Sequence, residues 1–471
     1  MKSKLTKKTA LMIAIIIAGG FITILNQTVM SPALPSVMRD FGITAADGQW
    51  LTSIFLLVNG LMVPITAWLI GRYTTRQLFI TSMLCFLAGT AVCAVSPSFM
   101  ILLGGRVLQA VSAGILMPFA IVILMLVFPK ERRGFALGMA GVVMGFAPAF
   151  GPTVAGWLVD EWGWKYIFWG IMPLTVIVIV LAAALLTNVG QKTSGKLDVA
   201  SVAMSTLGFG GLLFGFSSAG STGWISPQTL GAIAVGAVFS AMFIRRQLSR
   251  DLPLLDLRVL KNSIFADATV ITMVVSAGLT VGAVITPIYL QNVLGVSAMR
   301  SGILLMPGAL LMAALSPVSG TLFDKFGPRA LCIVGISALA VGTTMLALMG
   351  AHASEMYICL AYTARMGGIA FVNMPVNTWG INALDHSRIA HGNAVNNTGR
   401  LIAGSIGTAV LVTIMVIIGN AHGGGGAGSA EATAAGVSAA YLGAAALTVF
   451  ALILAIIKVR DTSENEDEDE L

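Results

Sequence analysis

The sequence predicts an all-α polytopic membrane protein, and three observations carry that prediction. Fourteen apolar stretches fill nearly all of the 471 residues. Hydrophobic residues make up 57% of the chain and charged residues 10%, where a soluble domain carries roughly 25% charged. Mean hydropathy is +0.91. A spanning helix needs about 20 mostly apolar residues to cover ~30 Å of hydrocarbon. No hydrophilic stretch is long enough to bury a core of its own.

The predicted spans are 11–34, 50–70, 77–95, 99–127, 134–158, 166–187, 198–218, 228–247, 264–290, 301–322, 330–349, 355–380, 395–419 and 436–457. The first follows a basic start, Met1–Thr9, that imitates a secretory leader. Its apolar run continues to about Leu34 with no small-residue cleavage site, so it reads as an uncleaved span. An even number of spans puts both termini on one side. Lysines and arginines decide which side. One set of loops holds Arg39, Lys165 and Arg300, and the spans hold Arg106, Arg365 and Arg400. Every other base falls on the side of the termini, which is therefore cytoplasmic.

Charge excludes some classes. The formal net charge is +7, but the basic excess sits beside spans, so nucleic acid is not an expected partner. The tail Asp461–Leu471 holds seven acids and reads as a solvated, disordered segment. Cys85, Cys93, Cys332 and Cys359 lie inside spans without CxxC spacing, so neither disulfides nor a metal site is expected. No HExxH, nucleophile motif, paired intramembrane acids or soluble output domain points to an enzyme or sensor. No cofactor is implied. Gly423–Gly426 lies in a low-complexity connector, with no strand to make it a nucleotide loop.

A weak internal repeat crosses the chain. Ala67-Trp-Leu-Ile-Gly71-Arg72-Tyr-Thr-Thr-Arg76 follows the second span, and Gly320-Thr-Leu-Phe-Asp324-Lys325-Phe-Gly327-Pro328-Arg329 follows the tenth. Each precedes a span pair whose second member carries an arginine, Arg106 or Arg365. Repeated halves with a site at their interface are a transporter signature.

The second of these loops resembles the signature of the major facilitator superfamily. In that family, small residues let helices approach while an acid and bases latch one face shut. Asp324, Lys325 and Arg329 match; in the first copy only Arg72 and Arg76 do, since Gly71 replaces the acid. The fifth span, Gly138-x8-Ala147-Pro148-x2-Gly151-Pro152-x2-Ala155-Gly156, resembles the superfamily's antiporter motif. Small residues at these intervals admit close backbones, and the prolines bend the helix. The resemblance implies a kinked hinge helix that favours exchange over leak.

Arg106-x2-Gln109-x3-Ala113-Gly114 is similar to the family's buried-arginine motif, which implies a role in proton transfer or its electrostatic control. The first span's Leu25-Asn26-Gln27-Thr28 resembles that of 14-spanner multidrug efflux proteins, in which an acid commonly stands where Asn26 does. Asn26 cannot titrate, so a preference for cationic drugs does not carry over. The Asn-Gln variant is nearer the lincomycin-efflux branch. Among the acids, Asp267 alone lies inside the ninth span, near its inner end, which makes it the candidate proton site, with Arg106 and Arg365 shaping its field. Amides on spans twelve and thirteen (Asn373, Asn377, Asn393, Asn396 and Asn397) precede Arg400, in a stretch that looks like the family's thirteenth helix. The candidate substrate cavity is therefore Asn26, Gln27, Gln109, Tyr289, Asn373 and Asn377. Trp157, Trp162, Trp164 and Trp169 are expected to form an outer aromatic belt.

The resemblance implies two six-helix bundles, 1–187 and 264–457, with an inserted helix pair over 188–263 and an acidic tail over 458–471. It implies a monomer in the bacterial plasma membrane that exports small amphipathic compounds in exchange for protons. The same fold also permits export of an endogenous lipid or metabolite.

Overall fold

The computed structural model describes residues 7–43, 45–189, 198–422 and 430–459. The first half comprises α1 (Lys7–Thr28), α2 (Met30–Phe41), α3 (Ala45–Arg72), α4 (Thr75–Val95), α5 (Phe99–Val127), α6 (Arg133–Trp162) and α7 (Lys165–Leu185). A pair follows, α8 (Val199–Thr222) and α9 (Pro227–Ser249). The second half comprises α10 (Ser263–Asn292), α11 (Ala298–Phe326), α12 (Pro328–Ala347), α13 (Glu355–Asn382), α14 (Ile389–His422) and α15 (Ala430–Lys458).

Local chemistry sets the boundaries. Thr74 and Gln77 form a reciprocal capping box at the start of α4, which satisfies two otherwise orphaned N–H groups. Asn262, Ser297 and Ser354 cap α10, α11 and α13 through their side chains. Gly327, at φ +74°, lets the chain turn sharply before Pro328 opens α12. The first predicted span is broken near Val29. Pro32 offers no N–H to the carbonyl of Thr28, so α2 starts as a separate helix.

Every helix but α2 reaches 20 residues or more. Among the described residues, twelve helices are both long and apolar enough to cross a membrane. Helix α13 has the length but not the uniform apolarity, since it carries Arg365, Asn373, Asn377 and Asn382. It packs against α11, where protein partners lower the cost of taking polar groups out of water.

The two halves repeat one packing pattern. In the first half α1 touches α5, α6 and α7; α4 touches α5 and α7; and α3 touches α5. In the second half α10 touches α13, α14 and α15; α12 touches α13 and α15; and α11 touches α13. The correspondence runs helix by helix and gives the weak sequence repeat its structural meaning. The halves meet at two matching seams, α6 on α11 and α3 on α14. Together these form the two six-helix bundles that the sequence resemblance implies, with α8 and α9 added.

The added pair is joined by close backbones. A Cβ at Gly211 or Gly236 would come within 2.8 Å of the facing helix, and such contacts are the main attraction between helices in lipid. Its polar end is anchored by Asp198, which receives Arg246 through two bonds of 2.8 and 2.9 Å and Ser201 through one of 2.6 Å. These hydrogen bonds, Arg246 foremost, hold the Asp198 carboxyl well below the usual carboxylate range. Helix α8 leans on both α3 and α14.

Candidate functional site

The site is built from three groups of residues: a latch at the end where both termini lie, two buried arginines, and an amide cavity between the halves.

At the terminal end, α6 and α11 approach backbone to backbone. A Cβ at Gly138 would stand 2.6 Å from the Ser316 carbonyl, and one at Gly145 2.9 Å from the Ala313 nitrogen. The smallness that the sequence motif demands at Gly138 is therefore spent on the other half of the molecule. Ala147 is fully buried. Gly151 faces Thr28 of α1 instead, and Gly156 has open space beside it. Pro148 and Pro152 lie within the continuous helix; their side chains fall outside the described residues.

Asp324 reaches across this seam. Its two carboxylate oxygens accept from the backbone N–H groups of Gly134 and Phe135, each at 3.0 Å. These are orphaned donors of the first turn of α6, where negative charge is favoured. Arg133, 1% exposed, adds a second tie by donating to Asn382 Oδ1 at 3.0 Å and lying 3.1 Å from His386 Nε2. Sequence reading missed Arg133, although its place in the basic run Lys130–Arg133 was a usable signal. Lys325 is exposed and Arg329 half-buried. The first repeat is no latch. Arg72 is exposed, and Arg76 bonds within its own half, to Asn188 and the Ala183 carbonyl. With Gly71 in place of the acid, nothing there can cap α14. The α9–α10 connection covers that place instead: the Asp256 N–H donates to His391 of α14 at 3.2 Å.

The two arginines occupy equivalent positions. Arg106 is fully buried and donates to the Leu51 and Asn26 carbonyls and to Gln109 Oε1, with its guanidinium 4.4 Å from the centre of the Phe55 ring. Gln109 passes the network on to Thr90 at 2.9 Å. Arg365, equally buried, donates to the Gly278 and Leu279 carbonyls of α10 and to Thr343. Each arginine thus ties its half's first helix to the fourth element of the repeat. Gly282 clears space for Arg365, since a Cβ there would overlap the guanidinium.

The expected substrate residues separate into different places. Asn26 and Gln109 belong to the Arg106 network, and Gln27 is half-buried beside it in sequence. Tyr289 does not line the cavity. It is fully buried in the core of the second half, its hydroxyl donating to the Gly350 carbonyl. Asn373 and Asn377 do come together, with Asn393, Asn396, Asn397 and Arg400, around a cavity of about 40 Å³. That holds roughly two or three water-sized spheres. Asn396 donates to Asn377 at 2.8 Å, Asn393 to the Pro118 carbonyl of the first half at 3.3 Å, and Arg400 to Asn397 at 2.8 Å. The cavity thus lies where α13 and α14 meet α5.

Asp267 of α10 does not line this cavity; it is 28% exposed, with Lys458 of α15 at 3.7 Å. Of the four tryptophans expected in a belt, Trp157, Trp162 and Trp169 are exposed, but Trp164 is buried and donates to Asp40 at 2.7 Å. It pins α2 to the start of α7.

Comparison with known proteins agrees with this architecture. The sequence profile of the Major Facilitator Superfamily matches residues 16–408. The MFS-type transporter YcnB of Bacillus subtilis is 44% identical over 406 residues, covering 86% of each chain. The lincomycin resistance protein LmrB of Listeria monocytogenes is 38% identical over 403 residues, again covering 86% of each. The crystal structure of the human organic anion transporter MFSD10 (TETRAN) superposes with a TM-score of 0.68 at 13% identity, covering 95% of this chain and 99% of that one. Paired helical halves, equivalent buried arginines, the α6–α11 seam and these relatives agree on one conclusion: the chain belongs to the major facilitator superfamily of membrane transporters.

Proposed function

We propose that this transporter exports amphipathic compounds, drugs among them, from the cytoplasm in exchange for protons. Its halves, 1–187 and 264–457, rock about the amide cavity and open it to one side at a time. The pair within 188–263 rides at the side, 458–471 forms a cytoplasmic acidic tail, and the protein works as a monomer in the bacterial plasma membrane. The basic bias of the terminal side supports placing that side in the cytoplasm.

The observation that carries this reading is the seam between α6 and α11. It is made of small residues and a few hydrogen bonds centred on Asp324, which suits a contact that must part and re-form. The resistance-named relatives support export of toxic compounds. Protons exchange through Asp267, which faces Lys458, while Arg106 and Arg365 set the surrounding field.

The test is transport by purified protein in proteoliposomes, with and without an imposed pH gradient, for several unrelated amphipathic antibiotics and dyes. Gradient-driven uptake of more than one compound is expected, and its loss in Asp267→Asn. Uptake indifferent to the gradient would remove the coupling. Movement of none of the compounds would remove drug export.

A further inference from the structure

Positive charge inside this molecule is not balanced by the chain. Arg106, Arg365 and Arg400 lie in the spans, and among the described residues none has a carboxylate within ion-pairing distance. The acids nearest the interior are engaged at the terminal end: Asp267 faces Lys458, and Asp324 caps α6. Arg106 and Arg365 are enclosed within their own halves, but Arg400 lines the cavity between the halves and is its one charged lining residue among those described. Its partner there is Asn397, through a single bond. A guanidinium carries five N–H donors in a planar fork that matches an oxyanion at two points. Most of that fork is unused.

A charge in hydrocarbon is costly unless it is paired. Here the surrounding groups are amides, which donate and accept but supply no counter-charge. A ligand that enters the cavity can supply the opposite charge. The same arrangement repels a cation, so it discriminates as well as attracts. The cavity in this closed arrangement admits a small polar head and no more; the apolar body must lie between the halves as they part.

We infer that the amide cavity binds the acidic group of the exported compound, an amphipathic oxyanion such as a long-chain carboxylate, with Arg400 as its counter-charge. This rests on the export reading above and adds the charge of the substrate to it. Asn373, Asn377 and Asn393 frame the head group. Asn396 Oδ1, buried without a partner among the described residues, accepts from a hydroxyl or amide next to the acid.

The experiment compares three probes of one skeleton: 11-(dansylamino)undecanoic acid, its primary amide, and the corresponding terminal amine. Binding to full-length protein in lipid nanodiscs is read by fluorescence against empty nanodiscs. The acid should bind at least tenfold more tightly than the amide, and the amine more weakly than either. Arg400→Gln should bring the acid-to-amide ratio close to one, while Arg400→Lys, which keeps the charge, should retain part of the preference. An amine that binds as well as the acid would overturn the inference, as would an unchanged ratio in Arg400→Gln. If Arg400→Gln does not fold, the wild-type ranking of the three probes decides alone. Transport of the same probes in proteoliposomes separates the two readings. Movement of the amine but not the acid leaves export standing and this inference fallen. Binding of the acid with no probe moved leaves the charge preference standing and export fallen.

Discussion

Asp324 of α11 caps the first turn of α6, accepting from Gly134 and Phe135 with one carboxylate oxygen each. It is a helix cap whose two parties belong to different halves of the molecule. Hydrogen bonds to a charged group contribute about 1.5–3 kcal/mol each; with water replacing part of what the two bonds supply, Asp324→Ala should weaken the closed terminal end by about 2–3 kcal/mol. That raises the population of the parted state roughly 30- to 150-fold. Spin labels at the exposed positions Tyr73 and Phe326, in a background free of the native cysteines, would report it as a longer distance between the halves.

The α6–α11 seam should punish added volume unevenly. Gly138→Ala puts a methyl group 2.6 Å from the Ser316 carbonyl and 2.8 Å from the Pro317 Cα, both backbone atoms that cannot rotate away. Overpacking of this kind costs about 1–3 kcal/mol. Gly156→Ala meets nothing within 4 Å and should change stability by less than about 0.5 kcal/mol. Thermal melts of the two variants, read beside the spin-label distance, check the contrast.

Gly282 and Gly278 provide a second matched pair, four residues apart on α10. A Cβ at Gly282 overlaps the Arg365 guanidinium, whereas one at Gly278 makes an ordinary 3.4 Å contact with Ala444. Gly282→Ala should therefore displace Arg365 and leave the Gly278 and Leu279 carbonyls without their donor, at a cost of about 2–4 kcal/mol. Gly278→Ala should be close to neutral. A fall in melting temperature confined to the first variant is the expected result.

Acid should loosen the added helix pair. The Asp198 carboxyl is held below its ordinary range by Arg246 and Ser201, so its bonds contribute fully above the unfolded value of about 3.9 and are lost as pH falls through the lower native value. Melting curves of wild type and Asp198→Asn should differ by a constant amount from pH 7 to 5. The difference should begin to shrink below about pH 4 and close only once the pH falls below the lower native value.

Helix order was legible because lipid imposes a simple rule on every span, although the first predicted span divides into α1 and α2. The second loop signature was legible for a similar reason, since an acid at Asp324 has one strong use beside a helix start. Placement across the interior was less readable. Tyr289 and Asn377 both sit on long helices of the second half, yet one is core and the other lines the cavity. Helix rotation decides that, and long-range packing sets the rotation. Arg72 and Arg76 looked like latch members because their loop repeats that of Asp324, but the acid that would reach across is missing. Arg133 went unnoticed because its partners, Asn382 and His386, lie about 250 residues away. The break at Val29 was readable from Pro32 and was hidden by the continuous apolar composition around it.

Helix α8 rests on α3 and α14 together, so one of the two seams between the halves is screened from the bilayer. Gly60 of α3 lies at this meeting point, where an added Cβ would touch Leu213 of α8 and Leu401 of α14. The α6–α11 seam has no comparable screen among the described residues. The two sides of this protein are therefore unequal toward the bilayer: an extra helix lies across one seam, and among the described residues none lies across the other in the same way.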